Sequence, residues 1–150
     1  MFSERSERQK GFTLFETVVA LATVGILAAA FTATASTIRT SKLTAIVRQV
    51  NSIRESSDKY IEATGAINYT SLNTAGITTL INARYLPSSI SSGVSNPLGV
   101  FYATAAGSTN TQLVITISNL PDWARTSVAS RLGYLGSASV LVDGTVQVVF

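Results

Sequence analysis

Hydrophobic residues are gathered at one end of this chain. Residues 12–35 read FTLFETVVALATVGILAAAFTATA, and Glu16 is the one charge among them. At about 1.5 Å per residue, about 20 such residues cross a hydrocarbon core of about 30 Å. From residue 36 the pattern changes. Ile38, Leu43, Ile46, Val47, Val50, Ile53, Tyr60 and Ile61 recur at steps near three or four, while Arg39, Lys42, Arg48, Arg54, Glu55, Asp58 and Lys59 take other faces. That is the periodicity of an amphipathic helix. Together the two stretches predict one helix of about 50 residues, roughly 75–80 Å long, ended at Gly65. A break near residues 36–41 is the alternative. Arg54/Asp58 and Glu55/Lys59 stand at i,i+4, a spacing that suits ion pairs. The stripe also suits a coiled-coil partner, but its period is closer to that of a helix lying on a sheet.

Beyond Gly65 the pattern shortens. A helical piece around residues 72–85 carries Ile77, Leu80 and Ile81, and Pro87, Gly93, Pro97 and Gly99 then punctuate the chain. Residues 100–104 and 112–118 read as strands joined by a turn at 107–110. Pro121 opens a helix over Asp122–Leu132, with an acid in its first turn, Arg131 in its last and Gly133 after it. Asp143-Gly144 sits between the strand-like runs 140–142 and 145–150, a hairpin signal. The predicted class is α+β: a long N-terminal α-helix, its first half transmembrane and its second amphipathic, packed on a small antiparallel sheet. The segments are 1–11 (leader), 12–36 (apolar helix), 37–64 (amphipathic half) and 65–150 (head). Trp123 is expected to be a packing anchor.

Composition removes most chemistries. The chain has no cysteine and no histidine. Thiol nucleophiles, disulfides, Ser-His-Asp triads and zinc sites built on sulfur or imidazole are therefore excluded. The acids after the leader are Glu16, Glu55, Asp58, Glu62, Asp122 and Asp143, and none falls in a calcium-loop pattern. No catalytic residue, cofactor site or metal site is expected. Net charge is +3, but the basic residues beyond the first ten are scattered and not interleaved with aromatics. Such a pattern gives little support to a nucleic-acid partner.

The lone acid is the informative residue. A carboxylate at the centre of a membrane helix costs about 2.5–3.5 kcal/mol on an insertion scale. Ionisable groups in such spans are rare and tend to have a specific partner. The chain offers no basic residue between Glu16 and Arg39. Thr17, Thr23, Thr32, Thr34, Gly25 and many alanines suit close approach of other helices. Arg5, Arg8 and Lys10 before the span favour a cytoplasmic N-terminus.

The run Gly11-Phe12-Thr13-Leu14-Phe15-Glu16, after a short charged leader and before an apolar helix, resembles the type III signal of type IV pilins and pseudopilins. The resemblance implies a pilin fold and a structural rather than enzymatic role. A prepilin peptidase is expected to cut between Gly11 and Phe12 and to methylate the new amino terminus of Phe12. Glu16 is expected to meet that amine on a neighbouring subunit during assembly. The implied partners are other copies of the chain in a helical homopolymer, the peptidase, and an inner-membrane assembly platform with its ATPase. The implied course runs from an inner-membrane precursor, head in the periplasm, to an extracellular pilus serving adhesion, mating contact, motility or DNA uptake. Residues 72–87, Asn96-Pro97-Leu98-Gly99 and Asn119-Leu120-Pro121 resemble major type IVb pilins of thin conjugative pili. Those relatives commonly close the C-terminal region with a disulfide; here strand pairing and apolar burial must serve instead. The short leader and Phe12 are closer to type IVa pilins. Many pilins also carry a proline shortly beyond the position of Gly25, and this chain has none there.

Other readings predict different mature termini or partners. Ala28-Ala29-Ala30 satisfies an ordinary signal-peptidase rule and would release a protein starting at Phe31. A plain signal anchor would leave Met1 in place and Glu16 without a role. A pseudopilin or minor pilin of a type II secretion-like system would share the signal, and a signal-anchored periplasmic enzyme or binding protein would need a buried polar constellation in the head.

Overall fold

The computed structural model describes residues 13–73, 76–91 and 93–150. They fall into two compact units, divided between Ile38 and Arg39. Helix α1, Leu14–Thr64, has 51 residues and passes through 36–41 without a break. Ser36 and Thr37 do not compete with the helix there. Both hydroxyls bond back to the Ala33 carbonyl, at 2.8 and 3.1 Å. The helix ends as predicted, on a left-handed glycine: Gly65 has φ +66°. The Gly65 N–H bonds to the Glu62 carbonyl and the Ala66 N–H to the Ile61 carbonyl, the paired bonds of a Schellman cap.

The second unit, Arg39–Phe150, holds a four-stranded antiparallel sheet in the order β1-β2-β4-β3. The strands are β1 Phe101–Ala106, β2 Leu113–Ser118, β3 Ser137–Val140 and β4 Val146–Val149. Helices α2, Gly76–Asn82, and α3, Asp122–Leu132, flank the sheet, and 3₁₀ turns stand at Thr70–Leu72, Ser88–Ser91 and Pro97–Gly99. The β-branched run of β2 takes a central place. Leu113, Ile115 and Ile117 turn to the core with Val146 and Val148 of β4, all fully buried. Alternation is what a half-buried strand requires. Against this layer the amphipathic half of α1 lays Leu43, Ile46, Val50 and Ile53, and α3 lays Ala124, Val128 and Leu132. Each fully buried Ile or Val contributes about 1.5–3 kcal/mol relative to exposure. The sheet is thus the partner of the α1 stripe in this unit. Ile38, expected on the stripe, is instead half exposed.

A buried amide ties α1 to the loop before β1. Asn96 donates to the Ile90 and Val100 carbonyls at 2.8 and 2.9 Å and accepts from Gln49 at 3.2 Å. The Tyr102 hydroxyl donates to Gln49 Oε1 at 2.6 Å, and burial pushes its pKa up.

Several local expectations are corrected. Neither i,i+4 ion pair on α1 forms. The Arg54 guanidinium lies 4.7 Å from the Phe150 ring centroid, and Asp58 accepts from the Tyr69 hydroxyl. Packing of this helix face on the chain end and on the following loop offers both groups nearer partners. Among the described residues the one ion pair is Arg125–Asp122, at 2.7 Å. Strand β3 ends at Val140, so Leu141 and Val142 belong to the hairpin loop. The Gly144 N–H bonds to the Leu141 carbonyl and the Leu141 N–H to the Thr145 carbonyl. With Gly144 at φ +81°, this is a three-residue loop with a left-handed last residue rather than a two-residue turn. The helical piece predicted around 72–85 contracts to α2, because Arg84 at φ +64° turns the chain out of helix.

With no cysteine to staple it, the C-terminus is held by backbone pairing. Leu113 and Phe150 exchange N–H···O=C bonds at 2.9 and 3.2 Å. Arg125 adds a latch: its Nε donates to the Leu120 carbonyl at 3.1 Å, and its guanidinium covers Gly144 so closely that a Cβ there would collide with it.

Candidate functional site on the N-terminal helix

The described part of the first unit is one apolar helix whose large side chains are exposed. Leu14, Phe15, Leu21, Ile26 and Phe31 are 68–86 % exposed. Contiguous apolar surface on that scale marks a contact with lipid or with other protein. Length and composition suffice for α1 to cross a membrane, with no residue of its most apolar window buried.

The helix is also prepared for an apolar medium. Thr23, Thr32 and Thr34 donate their hydroxyl protons to the Ala20, Ala29 and Ala30 carbonyls at 2.8–2.9 Å. Thr17 bonds in the same way to the Thr13 carbonyl at 3.3 Å. No hydroxyl of this group needs water or a neighbour, which removes a desolvation cost of several kcal/mol that an unsatisfied polar group would carry in lipid. At Gly25 a Cβ would meet nothing within 4 Å. The fold of the isolated chain therefore does not demand glycine there, and its smallness is open to an incoming helix.

At the N-terminal end Glu16 folds back on Thr13. The Thr13 N–H donates to Glu16 Oε2 at 3.0 Å and the Thr13 hydroxyl to the same oxygen at 3.1 Å. In return the Glu16 N–H donates to Thr13 Oγ1 at 3.3 Å. This is a capping box, Thr-x-x-Glu, in which two otherwise orphaned backbone donors are satisfied reciprocally. The sequence carried that signature, but reading Glu16 only as a buried charge passed over it. The carboxylate also stands in the first turn, where the helix dipole favours an anion. Gly11 and Phe12, the expected cleavage and methylation positions, lie outside the described residues, so Glu16 is the one expected site residue whose geometry is described.

Trp123 packs at the surface rather than inside the core. It is 43 % exposed, and the Arg39 guanidinium lies over its ring at 5.2 Å from the centroid. Among the described residues no group of three or more Asp or Glu side chains is placed to hold a metal ion.

Residues 7–32 match the family profile described as the prokaryotic N-terminal methylation motif. Neither curated proteins nor solved structures give a match to the chain. The matched segment takes in Gly11, Phe12 and Glu16 and most of the exposed helix. Motif and fold together match the generic type IV pilin and prepilin pattern: a methylation signal, then a long helix whose second half packs on an antiparallel sheet.

Proposed function

We propose that this chain is the structural subunit of a type IV pilus filament, made as a membrane-anchored prepilin and polymerised through α1. One observation carries the reading above all others: a helix in a methylation-motif segment presents large apolar side chains that are exposed. In the precursor, lipid covers that surface. In the filament, the same helices of neighbouring copies cover it, so apolar contact is kept when the subunit leaves the membrane. Work for extraction comes from an inner-membrane platform and its ATPase.

Cleavage between Gly11 and Phe12 by the peptidase, followed by methylation of Phe12, creates a cationic amine at the head of the helix. Glu16 then has two roles in succession. In the free subunit it caps α1 through Thr13; in the filament it turns to the Phe12 amine of the adjoining copy. The exchange keeps the carboxylate partnered at both stages, which matters because an unpaired buried charge costs several kcal/mol. The head lies in the periplasm before assembly and forms the outer surface afterwards. Its Ser-, Thr- and Asn-rich loops between residues 66 and 139 suit adhesion, mating contact, motility or DNA uptake.

The reading is tested by shearing surface fibres from cells and weighing this chain against the other proteins in them. A fibre fraction dominated by it supports a major subunit. A trace amount assigns it instead to a pseudopilin or minor pilin, and intact fibres without it overturn the proposal.

A further inference from the structure

Within the second unit, the face of α1 turned away from the sheet carries charges that its own chain does not use. Seven residues of α-helix turn through about 700°, close to two full turns, so Arg48, Glu55 and Glu62 lie along one line, with Lys59 between the two acids. That line is opposite the stripe of Leu43, Ile46, Val50 and Ile53 that meets the core. All four charged side chains are exposed, and among the described residues none is in an ion pair. Arg54 and Asp58, to one side of the line, are engaged by Phe150 and Tyr69. The line is divided by sign. Lys59 is i+4 from Glu55 and i−3 from Glu62, so two carboxylates and one ammonium leave a net negative charge at the C-terminal end. Arg48 is the positive end, and the nearest acid on its line, Glu55, is about 10 Å further along the helix. Ala45 and Ser52 flank Arg48 on this face, and side chains that small let another helix come close.

We propose that this line receives a second copy of the chain, slid along α1 by about 21 Å, or fourteen residues, so that Arg48 of one copy faces Glu62 of the other. The contact rests on the filament reading above, in which all copies point the same way and meet through heterologous surfaces. Charge selects the slide. In register, every charge on the line meets its like, which opposes association. A slide of three or four residues brings Lys59 to acids it already neighbours on its own helix and leaves Arg48 unmet. A slide of seven sets Arg48 against Glu55 but also Glu55 against Glu62, and a slide of eleven sets Arg48 against Lys59. At fourteen, Arg48 meets Glu62 and no like charges are opposed. Between residues 45 and 62 the line holds no large apolar side chain, so it sets the stagger of neighbouring copies rather than supplying the main force between them.

Charge reversal in the full-length chain tests the contact, read as sheared fibre yield relative to the leader-cleaved chain in the same cells. Arg48→Glu turns an attraction into a repulsion and should lower that yield by about tenfold or more. Arg48→Glu with Glu62→Arg should restore most of it, whereas Arg48→Glu with Glu55→Arg should not. Arg48→Gln removes the attraction without repelling and should cost about fivefold; it carries the test should Arg48→Glu fail to accumulate as cleaved chain. Native yield from Arg48→Glu, or from Arg48→Gln in its place, overturns the contact while leaving the filament reading intact. So does recovery through Glu55→Arg instead of Glu62→Arg, or recovery through neither while both double variants accumulate as cleaved chain. Native fibres that lack this chain remove the filament reading and the contact together.

Discussion

Glu16 serves a cap in the structure and an intermolecular charge pair in the proposed filament, and two substitutions separate these roles. Glu16→Gln keeps an oxygen able to accept from the Thr13 N–H, so the capping box survives while the charge is lost. Thr13→Val removes the hydroxyl that takes part in two of the three cap bonds and leaves the charge intact. Loss of an N-cap side chain costs about 1 kcal/mol, equivalent to about fivefold in a helix equilibrium. Removing one partner of a buried charge pair costs about 3–5 kcal/mol, or roughly two to nearly four orders of magnitude in subunit association. The two variants should therefore rank in opposite order to their damage to the free helix. Fibre yield after shearing, with leader cleavage followed by intact mass, is the assay. The expected result is cleaved but unassembled Glu16→Gln, beside Thr13→Val fibres at a yield within about fivefold of the native chain. Abundant Glu16→Gln fibres together with failure of Thr13→Val would refute the reasoning, because Glu16 would then be a cap and nothing more.

Other consequences concern the head. Ile53 is fully buried where α1 meets the core, so Ile53→Ala should cost about 2–5 kcal/mol, read as a fall in the thermal midpoint of the head. A Cβ at Gly136 would stand 2.5 Å from the Val149 carbonyl oxygen, part of the β3–β4 pairing. Gly136→Ala should destabilise by about 1–3 kcal/mol, measured by urea unfolding. Burial and the hydrogen bond to Asp58 push the Tyr69 hydroxyl up to about 12 from its ordinary 10. Between those values the unfolded chain has lost a proton that the folded chain keeps, so stability falls as pH rises through 10–12. Unfolding titrations across that window should show a shallower fall for Tyr69→Phe than for the native chain.

The long helix, its glycine stop, strands β1, β2 and β4 and α3 were legible because each rests on local periodicity or on a strong punctuating residue, whereas β3, expected at 140–142, runs Ser137–Val140. Leu43, Ile46, Val50 and Ile53 announce their face by spacing alone, and Gly65 announces its stop. What failed depended on neighbours distant in sequence. Arg54 looked destined for Asp58 until Phe150, at the far end of the chain, offered a ring to stack on, and Asp58 was taken by Tyr69. Trp123, expected to anchor packing, lies at the edge of the core because the core positions on α3 are filled by Ala124, Val128 and Leu132. Asp143-Gly144 marked the turn but not its length, which the Leu141–Thr145 pairing sets. At the candidate site, the apolar run and Glu16 stood out from sequence, whereas the cap by Thr13 was missed although Thr-x-x-Glu was present.

The most direct test of the central claim is mass spectrometry of the N-terminal peptide from sheared surface fibres. The account predicts a chain that begins at Phe12 and carries one methyl group on its α-amine. Fibres built from chains that begin at Met1 or Phe31 would contradict it.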